Sequence, residues 1–225
     1  MNQSRYLIVA IFTLLTGCVA NQHREESPGT SGLIAIDTTV EFLAPDRGTL
    51  PSSHFPEEIV VIFPYIPGGI FGTPRSAPLF QEHLKGNLDF KLDLAGAIGK
   101  LEKDSKPLTG TWTSKGLSVV PKEARLSRIG TFAFDAKTKN ELGAGGFIDA
   151  ESKDNLLLVY VDRPCRIAGS FTLGDEHYSH EIELHSAGFH WIRVRSSDGK
   201  RFLLGNYSNN GHVKFSIHLL HMKSI

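Results

Sequence analysis

The chain has 225 residues, with 24 basic and 24 acidic side chains, and this balance leaves no strongly basic stripe of the kind a nucleic-acid footprint needs. Hydrophobic residues make up 40% of it and cysteines number two, so it is long enough to bury a core of its own and has no disulfide framework to stand in for one.

The first elements precede any fold. Met1 to Arg5 is polar with one positive charge, and Tyr6 to Leu15 carries none, which is the pattern of a signal n-region and h-region. A helix of that length rises about 15 Å, half of a roughly 30 Å hydrocarbon core, so it cannot span a bilayer. The small residues Thr16 and Gly17 then lead into Cys18.

Leu15, Thr16, Gly17 and Cys18 resemble, position by position, the lipobox of bacterial lipoproteins. The resemblance covers only the leader and its junction. It implies that Cys18 Sγ takes a thioether-linked diacylglycerol, that residues 1–17 are removed, and that the new amine is acylated. At about 0.8 kcal/mol per buried methylene, one chain anchors marginally and two or more anchor durably. Val19 is not Asp, which in enteric Gram-negative lipoproteins implies sorting to the periplasmic face of the outer membrane. The competing readings are an ordinary secretory leader with a coincidental cysteine and an uncleaved apolar N-terminus. The acyl chains apart, no cofactor is expected.

Residues 18–32 are polar with Pro28 and two glycines, a tether without apolar periodicity. Residues 33–225 form the body, with a possible boundary near 115–121. With Cys18 lipidated, Cys165 has no partner for a disulfide.

Period-two alternation dominates the body. Leu88, Phe90, Leu92 and Leu94 alternate with polar residues, as do Val213, Phe215, Ile217 and Leu219, the mark of half-buried strands. Short apolar runs at 57–65, 116–121, 129–135, 155–162, 165–173 and 200–206 are bounded by Gly, Asp, Asn or Pro. This punctuation predicts an all-β, antiparallel sandwich, either one large unit or two small modules. The best helical stripe is Leu79, Phe80 and Leu84, closed by Gly86.

Residues 63–78 join Phe63, Tyr65, Ile66, Ile70 and Phe71 to several prolines and glycines. They read either as an exposed apolar loop for a partner or as a plug across an open sandwich end. At 142–147, Leu-Gly-Ala-Gly-Gly-Phe reads as a turn or bulge, because no helix follows to make a phosphate site.

Asp162, Arg163, Cys165 and Arg166 stand just past a strongly apolar strand. Cys165 is either a buried thiol at a strand-end turn or a nucleophile activated by the arginines and a histidine such as His177. His177, His180, His185 and His190 invite a metal reading. Along a strand, Tyr178, His180, Ile182 and Leu184 share one face. In the next strand His190, Ile192 and Val194 share one face, and Phe189, Trp191, Arg193 and Arg195 the other. A hairpin over Ser186 to Gly188 would set Ile182 opposite Ile192 and Glu181 opposite Arg193, with Gly188 left-handed. His180 and His190 would then lie roughly 13 Å apart, too far for one zinc ion, so no metal site is assigned. His212 and His218 are separated in the same way, and His221 follows.

Together these features predict a lipid-anchored envelope protein that acts by binding or assembly, with the membrane and another envelope protein as partners. The candidate contact residues are Tyr65, Ile66, Ile70, Phe71, Arg193 and Arg195. The competing class is a small envelope enzyme or metal-binding protein built on Cys165 or the histidines.

Overall fold

Apolar side chains at alternate positions need a second layer to cover them, and the chain meets this need by curling one branched sheet around two cores. The computed structural model describes residues 33, 35–43, 56–69, 77–85, 89–108, 115–208 and 212–219. Among the described residues there are sixteen strands. They are β1 (Ala35–Leu43), β2 (Glu58–Phe63), β3 (Tyr65–Pro67), β4 (Phe80–Lys85), β5 (Asp89–Asp93), β6 (Lys106–Pro107), β7 (Leu117–Val120) and β8 (Arg125–Ile129), followed by β9 (Phe132–Asp135), β10 (Glu141–Asp149), β11 (Asn155–Val161), β12 (Cys165–Leu173), β13 (Glu176–Leu184), β14 (Gly188–Ser196), β15 (Arg201–Tyr207) and β16 (Val213–Leu219). A 3-10 turn at Ala95–Ala97 runs into one helix, α1 (Ile98–Asp104). The protein is all-β, and its described ladders are antiparallel except for β1 with β16 and β13 with β15.

The first core lies among β1, β2, β4, β5, β9, β10 and β16, with α1 over one side. Its centre is aromatic. Phe90 stacks on Phe215 at 5.0 Å and on Phe63 at 5.6 Å, and Phe147 meets Trp191 edge-on at 4.8 Å. The second core lies on the inner face of β7, β12, β13, β15, β14, β11 and β8. There Phe171, Tyr178 and Phe202 stack in series, at 5.1 and 4.9 Å, above Ile167, Ile182, Ile192 and Leu204.

Four strands serve both cores: β8 through Ile129 and Leu126, β15 through Tyr207 and Phe202, and, most fully, β11 and β14. Leu156, Leu158 and Tyr160 of β11, with Phe189 and Trp191 of β14, enter the first, while Val159, Val161, Ile192 and Val194 enter the second. A strand buried on both faces has no solvent face, which is why residues 156–161 form an unbroken apolar run. In chain order the second core, drawn from residues 108 to 204, is nested within the first, drawn from 36 to 217. Residues 115–121 open β7 of the second core.

Three expectations need correction. The helical stripe at Leu79, Phe80 and Leu84 is strand β4, paired from Phe80 against Phe63 to Lys85 against Glu58. Positions 80 and 84 share a face in a strand as well as in a helix, and pairing with β2 decides between them. The helix instead starts after Leu94, whose side chain with those of Ala97 and Leu101 is buried at helical spacing. The glycines at 142–147 lie within β10, where only the register shift between Glu141 and Gly143 resembles a bulge. Gly145 is there for close packing, since a Cβ would stand 2.6 Å from Phe215 Cζ and 2.9 Å from Thr131 Cβ.

The third correction is the hairpin. β13 and β14 are not neighbours, because β15 lies between them, parallel to β13 and antiparallel to β14. Gly188 does take a positive φ of 115°, yet the turn leads across the sheet rather than back along it. Where β13 parts from β15, the Asn206 side chain replaces a ladder rung. Its Nδ2 donates to Glu183 O at 2.6 Å, and its Oδ1 accepts from Glu183 N at 2.9 Å.

Candidate functional site

Of the six candidate contact residues, Ile70 and Phe71 lie outside the described residues, and the other four occupy different environments. Tyr65 and Ile66 form β3 against β8 and are each 3% exposed. They are core residues rather than an exposed loop, because β2 continues past Pro64 and keeps a partner strand. Tyr65 also donates its hydroxyl to Asp104, and Lys100 Nζ stands 5.4 Å from its ring centroid.

Arg193 is likewise absent from the surface. It is buried on β14, where Nη2 reaches Asp149 Oδ2 at 3.2 Å and Nε lies 3.6 Å from Asp154 Oδ2. Its guanidinium covers the Tyr207 ring at 4.6 Å. Both carboxylates come from the ends of the β10–β11 turn, in which Ser152 Oγ and Glu151 N–H donate to Asp149. Burial alone would push Asp149 upward, but Ser152, Glu151 N–H, Tyr207 and Arg193 outweigh it and hold the carboxyl below the usual range. Arg195, 3.5 Å from Asp154, is the only one of the four with part of its side chain in solvent. The arginine face is thus largely an internal ionic clamp.

Cys165 begins β12 within the second core, and burial with the nearby Asp162 charge pushes its thiol up to about 11. An activated thiolate needs the opposite shift. His177 pairs level with Thr172, seven residues along from Cys165, which is roughly 23 Å at ~3.3 Å per residue. Asp162 is held below the usual range: burial opposes this, but Arg125 N–H, Arg163 and the Arg125 side chain prevail. The segment is a strand-end turn closed by ion pairs.

The histidines do not gather. His180 is level with Leu204 and through it with Val194, so His190 is two strands across and four residues along, roughly 16 Å away. Among the described residues no three His, Cys, Asp or Glu side chains lie close enough to share a metal ion. His177 is exposed between Thr172 and Ser179, and His190 binds Ser186 O at 2.9 Å.

His180 is the unusual one. It is 4% exposed, packs 5.5 Å from the Phe171 ring, and neither ring nitrogen has a well-formed hydrogen bond. Burial lowers its pKa to about 4, only partly offset by the Gly169 backbone, from an ordinary 6.5. Stability is therefore fully present above pH 6.5. Below it the unfolded chain takes the proton first, so stability should fall between pH 6.5 and about 4 and then level off. Urea midpoints across that range, for the native chain and His180→Phe, are expected to show the slope reduced in the variant, with a residue left by His190, whose pKa burial also lowers. Equal slopes would remove His180 from this account.

Alternation exposes two positions that composition does not flag. Leu117 and Val119 point inward, which leaves Val120 65% exposed; Phe202 and Leu204 point inward, which leaves Leu203 42% exposed. Leu203 lies level with Ser179 on one side and Arg195 on the other. It is the apolar centre of an outward sheet face made of small and polar residues. Period-two reading of residues 200–206 contained this signal.

No protein family, curated protein or solved structure matches the chain.

Proposed function

We propose that the chain is a lipid-anchored bacterial envelope protein, held to a membrane through Cys18, whose β-body works on the extracytoplasmic side as a binding or assembly module. One observation carries the reading: Leu15, Thr16, Gly17 and Cys18 close an apolar leader and are followed by a polar tether. The body is consistent with such a role. Its candidate nucleophile is buried and its histidines are dispersed, while the outward face around Leu203 and Arg195 remains open to a protein partner. An enzyme built on Cys165 would need its thiolate form, which its surroundings oppose.

Expression of the native chain and Cys18→Ser in a Gram-negative host tests this. The native chain is expected in the membrane fraction, and the variant in the soluble periplasmic fraction or as an uncleaved precursor. A variant that stays membrane-bound after leader removal would contradict the anchor.

A further inference from the structure

We propose that the sheet end shared by the bridge at Leu33 and by Val120 is a membrane-facing surface, seating on anionic phospholipid headgroups with Val120 at the interface. The inference rests on the anchor reading above. It begins from the bridge at Leu33: Leu33 N–H donates to Phe189 O at 2.8 Å, beside the start of β14.

Pairing carries this position across the whole end of the sheet. Gly188, the first residue of β14, pairs with Val161, the last of β11. Cys165, the first of β12, pairs with Leu184, the last of β13, and Arg166 pairs with Val120, the last of β7. Arg125, opening β8, binds Asp162 in the turn after β11. The bridge at Leu33 and the exposed Val120 therefore share one end.

The chemistry of that end suits a lipid surface. Among the described residues Val120 is the more exposed of the two large apolar side chains in solvent. Around it, Lys122 and Arg166 are exposed and engage no carboxylate in an ion pair among the described residues, although Arg166 is level with Glu183 and Glu123 follows Lys122. Asp162 is already neutralised by Arg125 and Arg163. At the opposite tip, by contrast, the charges close on one another: Lys200 with Asp175 at 3.0 Å and Arg201 with Asp198 at 2.8 Å.

Read from its sequence as a flexible polar tether, the stretch 18–32 would have a root-mean-square reach of about 20 Å. It holds the body at high effective concentration beside the bilayer, so weak contacts are enough to orient it. Basic side chains at an anionic surface and one apolar side chain at the headgroup boundary are contacts of that kind.

The full-length acylated protein, carrying a dye at Val120→Cys or at Asp175→Cys, would be reconstituted into vesicles with bromine-labelled acyl chains. Buried Cys165 supplies the low labelling background. In phosphatidylethanolamine vesicles containing phosphatidylglycerol, the dye at 120 is expected to be quenched several-fold more than the dye at 175. Lys122→Glu with Arg166→Glu should abolish the difference, and so should replacement of the lipid by phosphatidylcholine. Equal quenching at both positions in a chain shown by mass to be acylated at Cys18 would overturn the orientation alone. An unacylated chain would overturn the anchor and this proposal together.

Discussion

Arg193→Met is expected to cost about 3–5 kcal/mol of unfolding free energy, because removing one member of a buried ionic group leaves the others uncompensated. Asp149 and Asp154 are both buried, and Arg193 bridges them at 3.2 and 3.6 Å. In a body of this size that loss should lower the thermal midpoint by roughly 6–20 °C. Arg195→Met is the control: its side chain is partly solvated, so its contribution should stay within about 1 kcal/mol. A further Asp149→Asn and Asp154→Asn in the Arg193→Met background should recover part of the loss. Calorimetry that finds the two arginine variants equally stable would show that the cluster does not clamp the β10–β11 turn to β14.

Phe215→Ala should be as damaging, at about 3–5 kcal/mol, since a large buried aromatic leaves a cavity its neighbours can only partly fill. Phe215 is fully buried, with Phe90 at 5.0 Å, Phe147 at 5.1 Å and Phe63 at 6.1 Å. These rings come from β5, β10 and β2, so the variant removes the contact that joins strands distant in sequence. Collapse into the space is limited because Gly145 offers no side chain to move in. Urea unfolding that shows less than about 1 kcal/mol of loss would mean that the first core is organised around another residue.

Much of the fold was legible because alternation is a local property. The strands at 89–93, 165–173 and 213–219 follow from side chains two apart sharing a face, and the division of β13 and of β14 into two faces each also follows from the sequence alone. β1 carries the same signal, in Ile36, Val40 and Phe42. What alternation could not supply was which strands meet. A tight turn with Gly188 in a left-handed position is good hairpin chemistry, yet β15, which starts only at Arg201, takes the place beside β13. The rung that Asn206 supplies to Glu183 is a non-local contact with no local sequence signature.

The candidate surface failed for a related reason. Tyr65 and Ile66 are readable as either loop or plug because Pro64 and the following glycines break regular structure; the pairing of β3 with β8 beyond the break is what buries them. Arg193 looked exposed because arginine usually is, and only the fold brings Asp149 and Asp154 to it. Leu203 and Val120 were recoverable, since each lies one position out of phase with a buried pair.

The claim on which the functional account turns is the fate of Cys18, and intact-mass analysis of the native chain extracted from membranes tests it most directly. The account predicts a mature N-terminus at Cys18, the 17-residue leader absent, and a mass increment equal to a diacylglyceryl group plus one further acyl chain. A mature chain that begins elsewhere, or that begins at Cys18 with a free thiol and no added mass, would contradict it.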